Sequence, residues 1–310
     1  MTAVLLLTFP FFAVCLLGWI AARSGMLSDG AVRSLNVFVF NFAMPALIIG
    51  AISRADFAQL LNWQMALGWL AAGLVVFAVG ALAARLILGS ASTGAQWAIA
   101  GQAAAVGNIG FLALPLTYGA FGEAAVGPII IALVVDLVIL IPLSIAVLEG
   151  TGSVRRMIKG VALNPFILSI FAGLALAFSG VGLPAALDSL AQFLGAAASP
   201  AALFALGASL AGRSAGDGLP LVASLSVLKL LVHPGLVFVL LHPLLGVPIP
   251  ATAIAVSIAA MPVAGNVFVI AERYGVLVRD MSAAVLISTV VCVATVSMML
   301  AWALGVAGLT

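Results

Sequence analysis

The sequence predicts an all-α membrane protein made of two halves with opposite topology. Three observations carry this: too little charge to cover an aqueous surface, apolar runs long enough to cross a bilayer, and a loosely repeated half. Hydrophobic residues make up 65% of the 310 and charged residues 6%, whereas a soluble domain carries roughly 25% charged residues. At roughly 20 apolar residues per crossing, about ten helices fit, with no soluble domain attached. The apolar runs are continuous rather than alternating, which argues against a β-barrel. The formal net charge is +2 and no basic run occurs, so a nucleic-acid partner is not indicated.

The first run, Ala3–Ala22, lacks a basic stretch before it and a small-x-small cleavage site after it, so it reads as segment 1 rather than a signal peptide. The remaining segments are expected at Ala31–Ile52, Trp63–Leu88, Gln96–Ala120, Ala124–Leu148, Val161–Phe178, Leu187–Leu210, Leu219–Leu241, Ala251–Arg273 and Met281–Ala307. The stretch 150–160 is the one central linker. It divides a first repeat, 1–149, from a second, 161–310. Cys15 and Cys292 each lie within an apolar run and read as small core residues rather than a disulfide or metal site. No cofactor or metal motif stands out. Trp63 and Trp97 fall near expected interfaces, where indole rings anchor helices. Pro142 reads as a kink and Pro165 as a helix start.

Orientation follows from the basic residues. With the N-terminus outside, inner loops hold Arg23, Arg33, Arg85, Arg155, Arg156, Lys159, Arg213, Arg273 and Arg279, and outer loops hold only Arg54. The excess of Lys and Arg on the cytoplasmic side favours this arrangement. Both termini are then outside and the central loop is cytoplasmic. An odd number of segments per half inverts the second half relative to the first, a design found in secondary carriers.

The duplication shows in particular residues. Tyr118-Gly119, closing one long apolar segment, is echoed by Tyr274-Gly275, and Met44-Pro45-Ala46-Leu47 by Ser199-Pro200-Ala201-Ala202-Leu203. Each half also carries a helix-breaking point with an Asn beside it: Gly107-Asn108 in segment 4, Pro262 and Gly265-Asn266 in segment 9. Paired broken helices at corresponding places point to a transporter's binding site.

The chemistry of such a break is general. A helix interrupted in mid-membrane leaves backbone N–H and C=O groups without intrahelical partners. These groups must be buried in protein or line a polar cavity. Half-helices beginning after Gly107-Asn108 and after Pro262 present N–H groups and positive dipole ends, which attract a carboxylate. Asn108 and Asn266 each add an amide. The candidate substrate-binding set is therefore Gly107, Asn108, Ile109, Gly110, Pro262, Val263, Gly265 and Asn266; alternatively, the two Asn side chains only satisfy the broken backbone.

Four motifs in order resemble the auxin efflux carrier family. They are Gly107-Asn108-Ile109-Gly110-Phe111-Leu112-Ala113-Leu114-Pro115-Leu116, the run 259–275 around Met261-Pro262-Val263-Ala264-Gly265-Asn266, Ser199-Pro200-Ala201-Ala202-Leu203-Phe204-Ala205-Leu206-Gly207, and Leu228-Lys229-Leu230-Leu231-Val232-His233-Pro234. The resemblance covers nearly the whole chain and is to bacterial members such as malate and malonate permeases as well as the plant auxin carriers. It implies ten transmembrane helices as two inverted five-helix repeats, with broken helices 4 and 9 crossing near the membrane centre. It further implies a scaffold of segments 1, 2, 6 and 7 that forms a homodimer, and a moving transport domain of segments 3–5 and 8–10. The implied activity is transport of a small organic anion, a dicarboxylate or an auxin-like acid, across the inner (plasma) membrane by alternating access. Plant members have Pro directly before the segment 4 Asn. Gly107 stands there in this chain, and it still lets the backbone open.

Two charges lie deep in apolar surroundings, Asp136 in segment 5 and Lys229 in segment 8. Ionisable groups at such depth are functional candidates. Asp136 is a candidate coupling-proton site and Lys229 a balance for a substrate carboxylate; alternatively, the two form a plain ion pair that locks segments together. His233, one turn beyond Lys229, is either functional or part of a kink at Pro234. Asn41 is placed to satisfy carbonyls freed by Pro45, or to face substrate. Ser288 and Thr289 either donate to the cavity or bond back to their own helix. A sodium- or proton-coupled symporter of the bile-acid type is the nearest rival. An intramembrane enzyme would need a nucleophile–base set or a metal cluster, and no such pattern is present. A membrane receptor has no use for two polar breaks.

Overall fold

Continuous apolar runs, punctuated by Pro, Gly and Asn, give long helices with a few interruptions. The computed structural model describes residues 2–54, 62–149, 163, 165–211 and 218–308. Among these, the regular elements are helices, and the one β pairing is an isolated antiparallel bridge between Gly107 and Val263. In chain order the helices are α1 (Thr2–Arg23), α2 (29–54), α3 (Trp63–Leu88), α4 (Gly94–Ala105), α5 (109–121), α6 (126–149), α7 (Pro165–Ser179), α8 (Ala185–Leu210), α9 (219–244), α10 (Ile249–Ala259), α11 (Gly265–Tyr274) and α12 (Val278–Val306). The expected linker 150–160, with Arg155, Arg156 and Lys159, and also Arg213, lies outside the described residues.

Among the described residues, six helical stretches are long and apolar enough to cross a membrane: Gly30–Arg54, Trp63–Leu88, Ile109–Leu148, Ala185–Leu210, Leu219–Leu244 and Val278–Val306. The protein is therefore a multi-pass membrane protein. Segments 4 and 9 are absent as single spans, because each is cut in two: α4 and α5, α10 and α11. Segment 5 joins α5 through a short 3-10 turn at Gly122–Ala125, which makes one 40-residue apolar stretch.

Helix ends follow local chemistry. Thr93 and Gln96 form a reciprocal capping box at the start of α4, satisfying two orphan N–H groups. Asn62 caps α3 by accepting from Met65 N. Of the two Tyr-Gly pairs, only the second ends a helix: Gly275 closes α11 at φ 66°. After Tyr118 the chain continues to Phe121, and Gly122, at φ 56°, closes α5 instead. Both closures need a left-handed backbone that glycine adopts freely.

Proline widens four helical turns. Met44, Leu114, Ile141 and His233 donate their N–H groups to the carbonyls of Val39, Ile109, Asp136 and Leu228, five residues back. A proline follows each donor directly: Pro45, Pro115, Pro142 and Pro234. The ring has no N–H and clashes with the carbonyl four residues earlier, so the preceding turn opens to π geometry. Asp136 and Lys229 both lie in such turns.

The helices pack in two groups. α1 and α2 lie against α8, and α2 against α7. α3, α4 and α6 pack together, as do α9, α10 and α12, and α3 against α9 and α6 against α10 join these into the second group. α1 and α8 approach closely: a Cβ on Gly207 would overlap the Cys15 carbonyl, and one on Gly18 the Phe204 carbonyl. An Arg54–Asp188 ion pair of 2.7 Å joins the end of α2 to the start of α8.

Candidate functional site

The two interruptions lie against each other. α4 ends at Ala105, Val106 turns extended, and α5 begins at Ile109 with Asn108 as its cap. α10 ends at Ala259 and α11 begins at Gly265, after the extended Ala264. Asn108 N donates to Pro262 O (2.9 Å), and Ala264 N donates to Val106 O (3.2 Å). Each broken strand thus supplies partners that the other lacks. The second half-helix starts at Gly265, later than the expected position directly after Pro262.

Neighbouring helices complete the accounting. Ser288, on α12, accepts from Val263 N at 3.1 Å. Cys292 Sγ lies 3.7 Å from the Ala260 carbonyl. Lys229 Nζ donates to Ala259 O at 2.7 Å and lies 2.8 Å from His233 Nδ1. The ammonium, fully buried, therefore sits at the negative end of α10, where a cation is favoured.

The alternative reading, a direct Asp136–Lys229 ion pair, is not met, because each side chain has other partners. Asp136 Oδ1 accepts from Trp69 Nε1 at 3.1 Å, and its Oδ2 has no hydrogen-bond partner. Trp69 in turn packs edge-on against His233, ring centroids 5.5 Å apart. One chain of contacts thus runs from Asp136 through Trp69 and His233 to Lys229. A half-satisfied network of this kind is an expensive arrangement.

A cavity of about 80 Å³ adjoins both breaks. Of the expected binding set, Gly107, Asn108, Ile109, Gly110, Gly265 and Asn266 line it, and so does Asp136. Pro262, Val263, Lys229, His233, Asn41, Ser288 and Thr289 do not line it. Pro262 and Val263 are occupied in pairing with the other break. Thr289 bonds back to Val285 O, and Asn41 Nδ2 back to Val37 O at 2.9 Å.

Three buried polar atoms of the lining residues have no hydrogen-bond partner: Asn108 Nδ2, Asn266 Oδ1 and Asp136 Oδ2. Asn108 serves its helix with its other amide atom, Oδ1 accepting from Phe111 N at 3.3 Å. The first turns of α5 and α11, at Ile109-Gly110 and Gly265-Asn266, border the cavity. First-turn N–H groups carry the positive end of the helix dipole.

Sequence reasoning missed the apolar half of the lining: Phe40, Phe111, Phe166, Leu133, Leu137 and Ile141. In a chain this rich in apolar residues, a cavity-facing Phe has the same pattern as a lipid-facing one. The usable signal was position, since Phe40 neighbours Asn41 in the turn before Pro45, and Leu137 follows Asp136.

The family model described as "Membrane transport protein" matches residues 3–157 and 151–300. A protein of Rhizobium meliloti (strain 1021) named "Putative malonate transporter" is 34% identical over 300 residues, covering 94% of this chain and 93% of its own. "Uncharacterized transporter YfdV" of Escherichia coli (strain K12) is 24% identical over 296 residues, covering 92% and 93%.

Proposed function

We propose, from the premise that the chain belongs to the membrane transport protein family, that it is a secondary carrier of a small organic anion. The anion is a carboxylate, in first place a dicarboxylate of malonate size, and it crosses the inner membrane unchanged by alternating access. The single observation that carries this is the mutual pairing of two helix breaks beside a cavity. That pairing sets two helix N-termini and the free Asn108 amide around one small space. Backbone donors at helix starts are suited to carboxylate oxygens. The relative named for malonate supports the substrate class.

In this reading segments 1–5 and 6–10 are inverted repeats, with both termini outside and the loop between the halves in the cytoplasm. α1, α2, α7 and α8 form the scaffold and the homodimer contact, and the remaining helices carry the site across the membrane. Grouping of the helix contacts supports that division. Lys229 holds the break in α10–α11 and does not touch the substrate. Asp136 takes the coupling charge: an anion beside its free oxygen is favourable only with a positive charge added, a proton or a sodium ion.

The test is uptake of labelled malonate, malate and indole-3-acetate by purified protein in liposomes, with imposed proton and sodium gradients. Accumulation of unchanged malonate above empty liposomes is expected. Failure to move any of the three acids under any gradient overturns the reading.

A further inference from the structure

The ring of Phe40 stands between two spaces. It lines the central cavity, and it also lines a second, wider hollow of about 370 Å³ with Val32, Arg33, Asn36, Val37 and Asn41. Its centroid lies 4.8 Å from that of Phe111 and 5.1 Å from that of Phe166, both edge-on. Phe111 belongs to the first turn of α5 and Phe166 to α7, so the three rings join α2, α5 and α7. Two of them are seated by local features. Phe40 lies in the widened turn Val39–Ala43 set by Pro45. Gly110 leaves room for Phe166, since a Cβ there would lie 3.3 Å from two of its ring atoms. The hollow beyond is lined by one guanidinium and two amides, groups that do not face acyl chains.

We propose that Phe40 is the gate between the cavity and the Arg33 hollow, and that the three rings confine the cavity to small, non-aromatic carboxylates. This rests on the carrier reading and deepens it by naming what limits the substrate. An anion leaving past Phe40 meets Arg33, and a ring-bearing acid finds its space already filled by Phe111 and Phe166. Edge-to-face pairs are weak individually, so the gate opens without unfolding the packing around it.

The first experiment needs no substrate. In full-length protein with Cys15→Ala and Cys292→Ala, an Ala264→Cys substitution places a thiol on the cavity wall. Its labelling by a small charged thiosulfonate is followed with and without Phe40→Ala. Labelling about tenfold faster with Phe40→Ala is expected, the size of change that loss of one good contact produces. Equal rates overturn the gate. If Phe40→Ala does not yield monodisperse protein, Phe166→Leu is read the same way. The second experiment compares malonate with indole-3-acetate in liposomes. Phe40→Ala is expected to narrow the preference for malonate by about tenfold, of the order seen when a pocket gains or loses a few carbon atoms. An unchanged preference in protein that still carries malonate removes the size limit. Faster labelling without transport of any acid removes the carrier reading and leaves the gate standing.

Discussion

Gly107 and Lys229 adjoin so closely that a Cβ on Gly107 would lie 3.0 Å from both Cε and Nζ of the lysine. The ammonium cannot easily withdraw, because it is held by Ala259 O at 2.7 Å and faces His233 at 2.8 Å. Glycine at the first break and lysine on α9 are therefore one device. The absence of a side chain at position 107 lets a cation cap the half-helix across the second break.

Gly107→Ala is expected to push Nζ off the Ala259 carbonyl and to destabilise the protein by about 1–3 kcal/mol, the usual penalty for overpacking. Thermal unfolding in detergent measures this. Adding Lys229→Met to Gly107→Ala is expected to cost less than the sum of the single changes, since the collision is then with a flexible neutral chain. Additive effects would show that the two residues act separately.

Asn108→Ala separates capping from binding. The lost cap removes about 1 kcal/mol from α5, small enough for the protein to fold. The lost Nδ2 donor is expected to weaken malonate affinity about tenfold, which corresponds to 1.4 kcal/mol. Affinity is read as the ligand-induced shift in unfolding temperature. An unchanged shift would remove Asn108 from the site and leave it as a cap alone.

How much of this was legible in the sequence depends on the kind of signal. Helix breaks at Gly107-Asn108 and Pro262–Asn266 announce themselves through Gly, Pro and Asn in apolar runs, since those residues alter backbone options wherever they stand. The partners of the breaks do not. Lys229 stands out as a buried charge, but nothing in one dimension says that it meets Ala259 rather than Asp136. Its target is a backbone carbonyl, and all residues carry one. Ser288 likewise accepts from Val263 only because α12 passes there. Pro142 and Pro234 were legible as kinks, but neither they nor Pro45 and Pro115 as makers of widened turns, although each follows its donor at the same spacing. The aromatic wall was hidden by composition.

Asp136→Asn tests the coupling charge. The amide keeps an oxygen for Trp69 Nε1 but carries no charge. Malonate uptake by the unsubstituted protein is expected to rise with an inward proton or sodium gradient, whereas the Asp136→Asn variant is expected to carry the acid independently of either. The other ionisable groups near Asp136 are Lys229 and His233, which are engaged with each other. Gradient dependence that survives Asp136→Asn but is lost in His233→Gln would move the coupling site to the histidine.

Gly207→Leu tests whether α1 and α8 form a fixed unit. The α1–α8 contact has backbone against backbone: a Cβ on Gly207 meets the carbonyl oxygen, carbonyl carbon and Cα of Cys15, none of which can rotate away. Gly18 makes the reciprocal approach to the carbonyl of Phe204 and the N of Ala208. Small residues that let backbones touch are how helices associate in lipid, where no hydrophobic force drives them together. A branched side chain at 207 must therefore separate the two helices along their length. A destabilisation of at least about 3 kcal/mol is expected, at the upper end of overpacking penalties, seen as a lower unfolding temperature in detergent. Gly305→Leu, near the end of α12 with open space at its Cβ, should leave that temperature unchanged. If both variants unfold alike, α1 and α8 are not locked, and their assignment to an immobile scaffold fails with that result.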